Sequence, residues 1–143
     1  MLTRSRRPRV LVADDYPDLL VAFKRLLAPS CDIVGSVADG TALCETMAAL
    51  QPDVIVVDLF IPPSNGLEIC HHIRQVAPGT PVIIVSGSID ADVRKQALRA
   101  GAFAFVTKMS AGEDLLPAIH RATATRTVVD VLEPSQSSRL TIA

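Results

Sequence analysis

Short continuous apolar runs alternate along the chain with longer segments in which apolar residues return every three or four positions. The runs occupy residues 10–13, 33–37, 54–57, 82–85 and 103–106. They are mostly β-branched, and most stop at a small or acidic residue, which suits strands buried on both faces. Between them, Leu20, Phe23 and Leu27 share one helical face, as do Leu43, Met47 and Leu50, and Ile69, Ile73 and Val76. Val93 with Ala97, and Leu115 or Leu116 with Ile119, continue the pattern more weakly. Pro17 suits a first helical turn, Asp39-Gly40 and Pro62-Pro63 mark loops, Pro52 and Pro81 precede strands, and Gly101 stands where a helix ends. Five strands alternating with five helices predict an α/β fold, a parallel sheet with helices on both faces, because right-handed crossovers cover both sides.

The pattern fills residues 9–125, one domain's worth of a 143-residue chain. Before it, residues 1–8 form a basic arm. Arg4, Arg6, Arg7 and Arg9 are expected there as solvated charges on a frayed terminus rather than as an anion-binding site. After it, residues 126–143 are mixed and polar, with Pro134-Ser135-Gln136-Ser137-Ser138 resembling a linker.

Composition narrows the picture mainly by exclusion. Aromatic residues are 3% of the chain and Trp is absent. The core is therefore aliphatic, and stacking platforms for single-stranded nucleic acid are missing. A net charge of −1 supplies no general attraction to DNA or an anionic membrane. Cys31, Cys44 and Cys70 contain no close pair, so neither a disulfide framework nor a zinc knuckle is expected. The short apolar run after the first arginines cannot serve as a signal-peptide core, and no run approaches a membrane span. A soluble, cytoplasmic protein is the expectation.

The ends of the strands carry the chemistry. In an open parallel sheet, ligands bind beyond the carboxyl ends of the strands. The first strand ends in Asp14-Asp15, the third in Asp58, the fourth in Ser86, and the fifth is followed by Thr107-Lys108. Alone, Asp14 or Asp15 reads as a helix N-cap, Ser86 as a turn residue and Lys108 as a solvated surface lysine. Together, three carboxylates repel one another unless a divalent cation relieves them, and an all-oxygen site favours Mg²⁺. A lysine beside them suits an anionic substrate group, and a carboxylate can serve as nucleophile, so the set is equipped for phosphoryl transfer through an aspartyl-phosphate. His71 and His72 diverge by about 100° on a helix and form no metal pair, and His120 stands alone.

Four stretches carry a resemblance. Arg9-Val-Leu-Val-Ala-Asp14-Asp15, Val54-Ile-Val-Val-Asp58-Leu-Phe-Ile-Pro62-Pro-Ser-Asn-Gly66, Val82-Ile-Ile-Val-Ser86-Gly87 and Ala100-Gly101-Ala-Phe-Ala-Phe105-Val-Thr-Lys108 resemble the receiver domains of two-component response regulators. The stretches 77–82 and 98–102 look most like receivers of the NarL/LuxR type. The resemblance implies a flavodoxin-like topology with strand order 2-1-3-4-5. It implies Mg²⁺ held by Asp14, Asp15, Asp58 and the Phe60 backbone carbonyl, with Asp58 as phosphoacceptor for a sensor histidine kinase. Ser86 and Lys108 would bind phosphoryl oxygens, Phe105 would be the switch aromatic, and a homodimer on phosphorylation is a further expectation. Gly87 keeps access to the acyl phosphate open, and Pro62 and Gly66 shape the loop after Asp58. The output face would be the fourth helix, fifth strand and fifth helix.

Two departures qualify it. Met109 follows Lys108 where many receivers have a cis proline, so a different or looser loop is expected there. Phe60 and Ser88 occupy the variable positions that tune phosphate lifetime in the family. Three rivals remain open at this level: a receiver-like scaffold that works without phosphorylation, a small aspartyl-phosphate phosphatase, and a flavodoxin-like cofactor carrier. The ending Ser138-Arg139-Leu140-Thr141 is similar to the approach to a DNA-binding domain, which leaves a missing output domain and a stand-alone receiver as alternatives. No nucleic-acid contact is expected through the receiver itself.

Overall fold

The computed structural model describes residues 6–132. Its elements are β1 (Arg9–Ala13), α1 (Pro17–Leu27), β2 (Asp32–Val37), α2 (Gly40–Leu50), β3 (Val54–Asp58), α3 (Gly66–Val76), β4 (Val82–Ser86), α4 (Ala91–Arg99), β5 (Ala104–Thr107) and α5 (Ala111–Leu132). A 3-10 turn at Lys108–Ser110 joins β5 to α5. The strands form one parallel sheet in the order β2-β1-β3-β4-β5, with β1 shifting register against β2 between Val10 and Leu11.

Strand alternation sorts the core into two layers. Leu11, Ala13, Ile55, Val57 and Ile84 face α2, α3 and α4 through Leu43, Met47, Ile69, Ile73 and Ala97. Val10, Val12, Val54, Val56, Ile83 and Val85 face α1 and α5 through Phe23, Leu27, Leu115 and Ile119. Burial outweighs local defects. Tyr16 gives α1 no side-chain cap, a loss of about 1 kcal/mol, whereas Phe23 and Leu27 each gain about 1.5–3 kcal/mol on burial.

Four local readings change. Phe103 precedes β5 instead of opening it, half-exposed, with its N–H bonded to the Val82 carbonyl at 2.8 Å. Asp39-Gly40 is a helix start rather than only a loop, because the Asp39 carboxylate accepts the Ala42 N–H at 2.7 Å and caps α2. Val76, on the predicted apolar face, is 56% exposed at the last turn of α3. Helix α5 runs to Leu132, past the boundary expected at residue 125.

The basic arm also behaves differently from a frayed terminus. The Arg7 guanidinium donates to the carbonyls of Ala28, Pro29 and Cys31 and pairs with Asp32 at 2.9 Å. Arg9 donates to the carbonyls of Leu50 and Gln51 at 2.9 and 2.8 Å. Arg6 pairs with Asp53 at 3.0 Å, and Asp53 also accepts the Arg9 N–H. Carbonyls left over at the ends of α1 and α2 supply the acceptors, and the helix dipole favours a cation there. Arg4 and residues 133–143, where the linker was expected, lie outside the described residues.

Candidate functional site

Each site residue is delivered by the end of a strand. At β1, the Asp14 N–H bonds the Val37 carbonyl at 3.0 Å, and the carboxylate turns back to accept the Tyr16 N–H at 2.9 Å through Oδ1. Asp14 is therefore not the N-cap of α1, which is Tyr16; its Oδ1 closes the turn that leads into that helix. The other oxygen, Oδ2, is buried without a hydrogen-bond partner. Asp58 ends β3, 4% exposed, and its Oδ1 is likewise buried and unpartnered. Asp15 is exposed, and Asp14, Asp15 and Asp58 each offer one carboxylate oxygen within 4.8 Å of the others.

Lys108 completes the cluster. Its Nζ lies 3.2 Å from Asp58 Oδ2 and 3.8 Å from Asp14 Oδ2. Met109 adopts no cis bond to Lys108 and is 89% exposed. The different loop expected there is a 3-10 turn, and it still delivers the ammonium to the carboxylates. That removes the main support for a scaffold with an incomplete site.

Burial dominates the electrostatics. Desolvation pushes the Asp58 carboxyl above its ordinary range, opposed by Lys108 and the Phe60 backbone N–H and reinforced by Asp15. Asp14 is also raised, again mainly by desolvation, against the Tyr16 N–H and with added repulsion from Asp58. Two buried carboxylates with vacant lone pairs and one nearby ammonium leave room for more positive charge.

The loop after Asp58 folds back on it. Gly66 N–H bonds the Leu59 carbonyl at 2.7 Å, and a Cβ at Gly66 would stand 2.9 Å from the Asp58 carbonyl oxygen. Only glycine fits that approach without moving the backbone that carries Asp58. A Cβ at Gly87 would instead meet open space.

Ser86 ends β4 fully buried, and its Oγ accepts the Ser88 N–H at 3.0 Å. Ser88 Oγ in turn accepts the Asp90 N–H at 3.1 Å, and the Asp90 carboxylate accepts the Asp92 N–H at 2.8 Å. Three consecutive side-chain turns thus connect Ser86 to the first turn of α4. The alternation of Ser, Ser and Asp at every second position is a signal the sequence contains but that isolated turn chemistry does not reveal. Phe105 is 7% exposed and already packed inward in the same layer as Ile84 and Ala97. At the same edge of the sheet, Tyr16, Phe60, Ile89 and Met109, which follow β1, β3, β4 and β5, are more than half exposed.

A β2-β1-β3-β4-β5 sheet carrying a buried acidic pit and a lysine at its carboxyl edge defines a receiver of two-component signalling. The chain belongs to the response regulator receiver domain family, whose model matches residues 10–120. It is 33% identical over 134 residues to the nitrate/nitrite response regulator NarL of Escherichia coli K12, covering 92% of this chain and 62% of that protein. It therefore spans less than two thirds of NarL's length. A protein-glutamate methylesterase/protein-glutamine glutaminase of Geobacter metallireducens is 35% identical over 64% of this chain and 27% of its own. Among solved structures, a LuxR-family two-component response regulator from Aurantimonas sp. SI85-9A1 matches with a TM-score of 0.79 at 29% identity, covering 84% of this chain and 87% of that one. The response regulator domain of Thermotoga maritima CheB matches at 0.76 and 34% identity, covering 83% and 98%. No helix among the described residues is long and apolar enough to cross a membrane.

Proposed function

We propose that Asp58 accepts a phosphoryl group from the phosphohistidine of a sensor histidine kinase and that the chain works as the switch of a two-component relay. The observation that carries this is Asp58 itself: a nearly buried carboxylate with one unpartnered oxygen and the other 3.2 Å from Lys108 Nζ. A carboxylate oxygen of Asp58 attacks phosphorus, the P–N bond breaks, and the imidazole leaves with the bonding pair. Lys108 binds one phosphoryl oxygen and Ser86 donates its hydroxyl to another.

The buried, unpartnered Asp14 Oδ2 and Asp58 Oδ1 fit a divalent cation, and an all-oxygen set suits Mg²⁺. Asp14, Asp15, Asp58 and the Phe60 carbonyl would hold it. When bound, it neutralises charge on the transferring phosphoryl group.

The response begins at Ser86. Drawing its hydroxyl toward Asp58 pulls on the turn that Ser88 closes, and through Asp90 on the start of α4. Phe105, buried beneath α4's layer, repacks with that movement, and the α4–β5–α5 face carries the output. A phosphorylation-linked homodimer and a DNA-binding output domain beyond this chain complete the proposal, in the cytoplasm.

Incubation with acetyl phosphate and Mg²⁺ should label the wild type and leave Asp58→Asn unlabelled. Labelling of Asp58→Asn at the wild-type level would overturn the assignment.

A further inference from the structure

Lys108 has to be held, and the surrounding residues pose the question of how. Its side chain crosses four rotatable bonds to reach two carboxylates. The backbone that carries it lies just beyond the sheet, since Thr107, paired with Ser86, is the last residue of β5. Met109, the residue after Lys108, is 89% exposed.

The two hydroxyls that flank Lys108 do fix it. Ser110 N–H donates to Thr107 Oγ1 at 3.3 Å, the two hydroxyl oxygens lie 2.8 Å apart, and Ser110 Oγ donates to the Thr107 carbonyl at 3.3 Å. Across the 2.8 Å contact either hydroxyl can be the donor. The three contacts form a closed ring around the turn, joining the Thr107 hydroxyl and carbonyl to the Ser110 N–H and hydroxyl. Ala111 N–H adds a bond to the Lys108 carbonyl. The ring therefore ties the end of β5 to the start of α5 with Lys108 between them.

We infer that Thr107 and Ser110 are positioning residues for Lys108, setting the place of its ammonium for phosphoryl transfer to Asp58. The inference rests on the proposed phosphoacceptor role of Asp58. Both hydroxyls bond within the turn, to each other and to its backbone. Their effect passes through the lysine backbone, so removing one should cost rate only while Lys108 is present.

Thr107→Val keeps the shape of threonine and removes the hydroxyl, whereas Thr107→Ser keeps the hydroxyl. Loss of one net hydrogen bond, about 1 kcal/mol, corresponds to roughly a fivefold effect. In the intact chain, Thr107→Val and Ser110→Ala should each slow labelling by acetyl phosphate by about three- to tenfold. Thr107→Ser should stay within about twofold of the wild type. In a Lys108→Ala background, Thr107→Val should have no further effect, because the two residues act as one unit. Equal slowing with and without Lys108 would overturn the inference, as would unchanged labelling of both hydroxyl variants. If the wild type itself takes no label, the phosphoacceptor reading fails instead. Melting temperatures of all variants separate misfolding from mispositioning, and Ser110→Ala serves as the second probe if Thr107→Val does not fold.

Discussion

Asp14 and Asp58 are carboxylates that folding moves in an unfavourable direction. Burial raises both above the ordinary value of 3.8. A carboxyl with a raised folded value binds its proton more tightly in the native state. Its contribution to stability is complete below about 3.8 and is lost as pH rises through the folded value. At neutral pH the two groups therefore oppose folding. Asp58→Asn should melt higher than the wild type by roughly a few degrees at pH 7, with the gain shrinking toward pH 4. Thermal melts at the two pH values check the sign, and a lower melting point for Asp58→Asn at pH 7 would refute it. Millimolar Mg²⁺ should raise the wild-type melting temperature and leave that of Asp58→Asn nearly unchanged, since a ligand stabilises only the state that binds it. The identities of these residues were legible in the sequence because their positions at strand ends are topological. Their desolvation was not, because it depends on which loops cover them. The same limit applies to Asp14 Oδ1, whose bond to Tyr16 N–H exists only once the chain turns into α1.

At the scale of elements, five strands alternating with five helices that cover both faces of a parallel sheet follow from the alternating apolar runs, while the strand order follows from the resemblance to receivers; both appear in the structure. What periodicity could not supply are the joints. The path from β4 to α4 is a sequence of three side-chain turns through Ser86, Ser88 and Asp90. Its connectivity emerges only when every second residue finds the next backbone N–H. Ser88→Ala removes the middle acceptor and leaves Ser86, Asp58 and Lys108 in place. The initial rate of labelling should then stay within about twofold of wild type, because the deleted bond of about 1 kcal/mol joins Ser88 to Asp90 and not to Asp58 or Lys108. The change in α4 amide exchange on adding beryllofluoride and Mg²⁺ should weaken markedly. An undiminished α4 response would show that the movement travels by another route. Helix α5 likewise runs past residue 125, where the alternating pattern was expected to end. Residues 126–132 belong to the stretch read as a mixed, polar tail, while the backbone continues as helix.

For the whole molecule, the two edges of the sheet are built to different ends. The amino edge is closed by Arg6, Arg7 and Arg9, whose guanidinium groups satisfy the ends of α1 and α2 and pair with Asp32 and Asp53. The sequence offered only a cluster of arginines there, and nothing local in a run of basic residues distinguishes a solvated arm from a set of helix caps. Arg7→Ala should lower stability by about 1–2 kcal/mol, mostly through the lost carbonyl contacts, because its half-exposed pair with Asp32 contributes little. Chemical denaturation with an unchanged m-value would check this, and labelling at Asp58 should keep its wild-type rate. The carboxyl edge instead leaves two buried oxygens without a hydrogen bond and presents Tyr16, Phe60, Ile89 and Met109 to solvent. Stability gathered at one edge frees the other to vary. Energetic effects at sites that share no neighbours add, so changes in those four loop residues draw on a reserve held elsewhere. The amino-edge arginines thereby make the molecule evolvable: the carboxyl-edge loops can accept substitution without redesign of the domain that carries them.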